Sequence, residues 1–189
     1  HAPELHAYDR FGERIDRVIY HPAYHELMRC GVEAGVHSLS WQQPNRPGAH
    51  IVRAALHFLH GQADQGTTCP LTMTHAAIPV LQQGPAFASA WISKATGSSY
   101  DTRDVPWWEK STVLLGMGMT EKQGGSDVRA NTSRAYAIAD EAYEIVGHKW
   151  FMSAPMCDGF IVLAQANAGL TCFLMPRWRN DGTRNAIRI

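Results

Sequence analysis

Two hydrophobic rhythms divide this chain, and their order restricts its fold more than any other feature. From Ala23 to Gln83 apolar residues recur every three or four positions; from Val113 to Met175 they come in short runs with turn signals between them. The first rhythm is that of helices packed on one face, the second that of strands. A first helix is predicted from Ala23 to about Trp41, with Tyr24, Leu27, Met28, Val32, Val36 and Leu39 on one side and Pro22 where a helix can begin. A second, Ala49 to about Ala63, lines up Ile51, Ala54, Ala55, Phe58, Leu59 and Gln62 as its apolar side, with Gly66 marking the end. A third occupies Leu71 to Gln83, with Pro79 as a kink or break, and short helical pieces follow around Phe87 to Ser93. Strands are expected at Val113–Met119, Thr132–Ile138, Tyr143–Val146, Trp150–Met152, Phe160–Gln165 and Leu170–Met175. Lys94 to Glu109 is polar and turn-rich, so a domain boundary belongs there. The expectation is an α+β chain, with a helical domain over 1–110 and a β-domain over 111–189 built as an antiparallel sheet or barrel.

The richest chemistry lies where the first strand ends. Ser111 to Met119 is apolar and β-branched, and it runs straight into Thr120-Glu-Lys-Gln-Gly-Gly-Ser-Asp127. Thr120 and Ser126 carry hydroxyls that donate and accept; Gly124 and Gly125 permit positive φ and close approach of a ligand to the amides. Such a turn can cradle the phosphate of a cofactor, although an ordinary glycine-rich loop has the same composition.

Other chemistries gain little support. The 17 basic and 17 acidic residues cancel, so no net field attracts a polyanion. Cys30, Cys69, Cys157 and Cys172 are scattered without a Cys-x-x-Cys pair, which suggests reduced thiols in a cytoplasm. His21 with His25, or His57 with His60, could share a helix face, but neither pair has a third ligand, so packing or capping roles are expected. No apolar stretch approaches the roughly 20 residues that span a bilayer, and His1 to Arg17 lacks an export-signal pattern, so an intracellular protein away from the membrane is expected. At 189 residues, with 45% hydrophobic content, the chain can form a real core. It has no initiator methionine and stops on Ile189 after a stretch that reads like the middle of a strand, as a piece of a longer protein would.

Met119-Thr-Glu-Lys-Gln-Gly-Gly-Ser-Asp-Val128 resembles the signature of the acyl-CoA dehydrogenases, and Gly147-His-Lys-Trp-Phe-Met-Ser153 resembles a second family segment, in which a hydroxyl lies two positions beyond an aromatic residue. The runs Leu115–Val128, His148–Ser153, Cys69–Thr74 and Asp181–Arg188 are similar, more narrowly, to the AidB alkylation-response flavoproteins, a branch of that family. The resemblance implies one FAD. Thr120 matches the threonine at the flavin pyrimidine edge, and the amides and side chains of Met117, Gly118, Met119, Glu121, Lys122, Gln123, Gly124 and Gly125 would surround it. Ser126 matches the serine at the pyrophosphate. Phe151 would lie against the flavin, followed by Met152, with Ser153 as the hydroxyl near N5 where many members carry threonine. His148 reads as a structural histidine. Glu121 belongs to the loop signature and reads as structural; the family's catalytic carboxylate lies in a later helical domain, so no catalytic residue is expected here.

The implied function is a role in the response to DNA alkylation damage, with at most weak acyl-CoA dehydrogenase activity. The alternative is an ordinary dehydrogenase of a short or branched acyl-CoA thioester, and a blander one is a module that keeps the motif without the cofactor. The resemblance further implies a homotetramer, an acyl-CoA or other small-molecule substrate, and double-stranded DNA bound through the family's last domain, which this chain lacks.

Overall fold

The computed structural model describes residues 2–189; His1, which opens the expected first domain, lies outside them. The chain begins with an antiparallel hairpin rather than a helix, β1 (Glu4–Tyr8) and β2 (Arg14–Ile19), paired from Glu4↔Ile19 to Tyr8↔Arg14. Its turn is local chemistry: Asp9 Oδ1 accepts from Phe11 N at 2.8 Å and Glu13 N at 2.9 Å, and Gly12 takes φ +84°. The hairpin opens the part expected to form the helical domain, ahead of the first expected helix, and its short strands carry too few core-facing apolar residues to announce themselves in the sequence.

α1 (Pro22–Glu33) starts where Pro22 permits, with His21 Nδ1 accepting from Ala23 N at 3.2 Å. It stops eight residues before the expected Trp41. Gly35 adopts φ +74°, which turns the chain, and Val36, His37 and Ser38 are buried in a connection before α2 (Leu39–Gln42). α3 (Ala49–Ala63) has the expected bounds but not the expected orientation. Its predicted apolar side looks outward: Ile51 is 76%, Phe58 66% and Leu59 64% exposed. The inward side bonds instead, with Arg53 Nε donating to Val36 O at 2.7 Å, His57 Nε2 paired to Thr72 Oγ1 at 2.8 Å and His60 Nε2 to Thr67 Oγ1 at 2.9 Å. α4 (Thr68–Gln82) contains Pro79 without ending there, and α5 (Ala88–Ala95) follows.

After a 3-10 turn at Trp107–Glu109, the second half forms a five-stranded sheet. Its strands are β3 (Leu115–Gly118), β4 (Arg134–Ala139), β5 (Ala142–Val146), β6 (Gly159–Ala166) and β7 (Gly169–Pro176). The α+β order is the expected one, and the sheet is mixed. β4–β5 and β6–β7 are antiparallel hairpins, whereas β3 and β4 each run parallel to β6, β4 touching it only at Arg134↔Gln165. The expected strand at Trp150–Met152 is a correction: the segment is irregular, and Trp150 and Phe151 are exposed. Residues 185–189 likewise form no strand; only Arg184 bridges Trp178.

One apolar cluster joins the two halves. Ala77, Ile78 and Leu81 of α4 and Ala88, Trp91 and Ala95 of α5 pack on Val113, Leu115 of β3 and Ile161 of β6. Gly159 is required there, since a β-carbon on it would come within 2.9 Å of the Trp91 ring. Thr74 Oγ1 of α4 accepts from Leu115 N at 3.0 Å, so helix and strand are also hydrogen-bonded. This fixes the direction in which β3 leaves the core, and the loop at its end follows from that direction.

Candidate functional site

β3 leaves the core at Gly118, over which the Met152 side chain closes. Met117 and Met119 are half-buried and pack their side chains against the helix–sheet cluster. Thr120 is half-buried and its carbonyl accepts from Trp150 N at 3.0 Å. This bond brings together the two segments singled out from the sequence.

The loop then folds on itself. Gly124 N donates to Glu121 O at 2.9 Å, and Gly124 takes φ +111°, a conformation that excludes side chains other than glycine. A β-carbon on Gly125 would stand 2.8 Å from Thr120 Oγ1, so the loop passes directly over that hydroxyl. Gly125–Ala130 forms a 3-10 turn. Gln123 Nε2 donates to Asn131 Oδ1 at 2.9 Å and to Asp127 O at 3.2 Å, and Asn131 Nδ2 donates to Met119 O at 3.0 Å, closing the loop's two ends. Lys122, Gly125 and Ser126 are exposed.

Glu121 behaves differently from its neighbours. It is 2% exposed, and its carboxylate accepts from Thr132 N at 2.6 Å, Thr132 Oγ1 at 2.9 Å, Ser133 N at 3.2 Å and Lys149 Nζ at 2.8 Å. Burial alone pushes a carboxyl up; the donors from Lys149, Ser133 and Thr132 outweigh it and hold Glu121 down at about 2. A carboxylate so engaged is ionised and has no lone pair directed at a substrate, which agrees with its structural reading. Asn131, Thr132 and Ser133 are framework residues that sequence reasoning did not single out; a polar triplet after the glycine loop was the available signal.

On the facing segment, Trp150 and Phe151 present exposed rings, 66% and 65%. Ser153 is half-buried, and Ala154 beside it holds φ +49°. Among the described residues no hydrogen bond uses Thr120 Oγ1, Ser126 Oγ or Ser153 Oγ. Three hydroxyls without partners, a glycine turn that cannot carry a side chain at Gly124 and a flat exposed ring at Phe151 are what a planar, phosphate-bearing cofactor requires. His148 is exposed and His21, His25, His57 and His60 join no cluster of three metal-ligating side chains among the described residues.

Such an arrangement of helices, mixed sheet and glycine loop is that of a flavoenzyme fold, and comparison with known proteins gives it a family. The model of the adaptive response protein AidB N-terminal domain matches residues 1–102, and that of the acyl-CoA dehydrogenase middle domain matches 116–187. The chain belongs to the acyl-CoA dehydrogenase family, in its AidB branch. It is 49% identical to AidB of Escherichia coli strain K12 over 188 residues, which cover 99% of this chain and 35% of that protein. The structure of Caenorhabditis elegans ACDH-11 in complex with C11-CoA superposes with a TM-score of 0.83 at 27% identity, over 98% of this chain and 33% of that one. The acyl-CoA dehydrogenase of Bacillus anthracis complexed with FAD shares the fold at 18% identity and a TM-score of 0.60, over 82% of this chain and 26% of that one. The chain thus spans about a third of the length of its curated relatives.

Proposed function

We propose that this chain forms the amino-terminal and middle part of an AidB-type flavoprotein and binds FAD on the face between the 117–126 loop and the 151–153 segment. The observation that carries this reading is the contact of the two segments through Trp150 N and Thr120 O, with the hydroxyls of Thr120, Ser126 and Ser153 left outside every hydrogen bond around it. Thr120 holds the pyrimidine edge, and the amides of Gly124 and Gly125 with Ser126 take the pyrophosphate. Phe151 packs on the ring system, with Met152 behind it and Ser153 offering its hydroxyl near N5. Met117, Gly118 and Met119 contribute main chain, as do Glu121, Lys122 and Gln123. Bound FAD supplies two-electron redox chemistry; the protein supplies position, polarity and exclusion of water.

The working protein is proposed to act in the response to DNA alkylation damage, with weak oxidation of an acyl-CoA as a side capacity. The match of residues 1–102 to the adaptive response protein AidB N-terminal domain supports this over an ordinary dehydrogenase of short or branched acyl-CoA thioesters. Its setting is the cytoplasm, its assembly a homotetramer, and its contact with double-stranded DNA lies outside these residues. Among the described residues no helix is long and apolar enough to cross a membrane. The division near residue 110 separates a helical unit from the cofactor unit.

The deciding measurement is an absorbance spectrum of the purified protein made with ample riboflavin, which should carry the bands of oxidised flavin near 450 nm. A colourless protein that refuses FAD on reconstitution overturns the reading. This chain by itself, mixed with an acyl-CoA and an artificial acceptor, should show no turnover, since Glu121 is engaged by Lys149, Thr132 and Ser133 and the family's catalytic carboxylate is expected in a later helical domain. A titration with duplex DNA should show weak binding by this piece, and binding that falls steeply with salt would relocate the DNA contact to it.

A further inference from the structure

The two flavin-contacting segments are held together by consecutive residues on each side. Trp150 N donates to Thr120 O, and one residue earlier Lys149 Nζ donates to Glu121 Oε1 at 2.8 Å. The second link is buried, the side chains being 8% and 3% exposed. Lys149 Nζ also donates to Leu163 O of β6 at 2.6 Å, while the Glu121 carboxylate gathers Thr132 and Ser133 at the entry to β4. A single ion pair therefore anchors the exit of β3, the entry of β4, the middle of β6 and the 147–153 segment. Gly147 makes the approach possible: any β-carbon there would enter the Ser133 side chain. This also accounts for the glycine and lysine that precede the aromatic residue in the second signature.

We infer that Glu121 and Lys149 are positioning residues for the cofactor, setting Thr120 against Phe151 and Ser153 without touching the flavin. The inference rests on the flavoprotein reading above and divides its residues differently: the loop signature contains contact residues and, in Glu121, a residue that acts through others. The 147–153 segment has no ladder to hold it, so the pair and the Trp150 bond are its fastening on the loop. Removing one member leaves a buried charge unmatched, and the segment moves to let water reach it.

The test uses the full chain made with riboflavin, comparing wild type with Lys149→Met, Glu121→Gln, the double variant and Lys110→Met. Lys110→Met breaks the other buried lysine–carboxylate pair, to Asp158, away from the loop. Readouts are FAD affinity by fluorescence titration, visible circular dichroism of bound flavin, and melting temperature. Lys149→Met should weaken FAD binding by about tenfold or more and change the visible dichroism. The double variant should recover part of the affinity, because no unpaired charge remains, and Lys149→Arg should recover more. Lys110→Met should lower the melting temperature while leaving affinity within about twofold and the dichroism unchanged. If Lys149→Met binds FAD with wild-type affinity and dichroism, or Lys110→Met disturbs both equally, the pair is structural only and the inference fails alone. If wild type takes no FAD, the flavoprotein reading fails and this inference with it. Should Lys149→Met not fold, the double variant and Lys149→Arg decide: affinity and dichroism equal to wild type in both would overturn the proposal.

Discussion

Glu121 and His37 illustrate how burial acts in opposite senses on an acid and a base. Glu121 is held at about 2, below its ordinary 4.5, because donors surround it. Its contribution to stability is complete above the unfolded-state value and is lost as pH falls from about 4.5 towards 2. Glu121→Gln should therefore flatten the stability profile across that window, as followed by urea denaturation at pH 5, 4 and 3. His37 is fully buried; burial lowers it to about 4, only partly opposed by its bond to Gly97 O, with His75 and Arg53 adding repulsion. Its neutral form is the folded one, so stability is present above pH 6.5 and declines as pH falls towards 4. The loss should reach about 3 kcal/mol at full protonation, and His37→Gln should make melting temperatures measured between pH 7 and 4.5 fall less steeply, the remaining slope coming from His25, His57 and His75, which burial also lowers.

At the scale of elements, α3 gives the sharpest expectation. Its outward stripe of Ile51, Phe58 and Leu59 contributes little to this chain, so Phe58→Ser should change its unfolding free energy by no more than about 0.5 kcal/mol. Leu71 of α4, fully buried with Met28, Val32 and Val36, should cost about 3 kcal/mol when cut to alanine. Chemical denaturation of both variants tests the inversion, and equal losses would refute it. Periodicity located α3 to the residue yet assigned its faces wrongly, because the half-buried Arg53 and His57 and the buried His60 turn inward through hydrogen bonds and an apolar count does not register that. The break after α1 was written in Gly35, but a glycine inside a helical pattern is read as tolerated until its φ is known. Trp150–Met152 has a strand's composition and no neighbouring strand to pair with.

For the whole molecule, the cluster shared by α4, α5, β3 and β6 predicts that helices and sheet unfold together. Far-ultraviolet dichroism and tryptophan fluorescence should report one coincident transition in urea. The Lys110–Asp158 pair, 6% and 5% exposed, fastens the same junction, and Lys110→Met should lower stability by about 3 to 5 kcal/mol. Two separated transitions would mean that the helical and β parts fold independently despite their common core.

What the sequence determined by itself was local: where helical periodicity gives way to strands, the bounds of α3 and of the two hairpins in the sheet, and a loop whose Gly124, Gly125, Thr120 and Ser126 suit a phosphate-bearing cofactor. Those features depend on neighbours along the chain, and composition and spacing record them. Only the tertiary structure decided which face of α3 is buried, that β3 and β4 run parallel to β6, and that Glu121 answers to Lys149 while Thr120 meets Trp150. Each of these joins residues distant in sequence, and the energy that selects among them comes from packing and desolvation that exist only once the chain has closed.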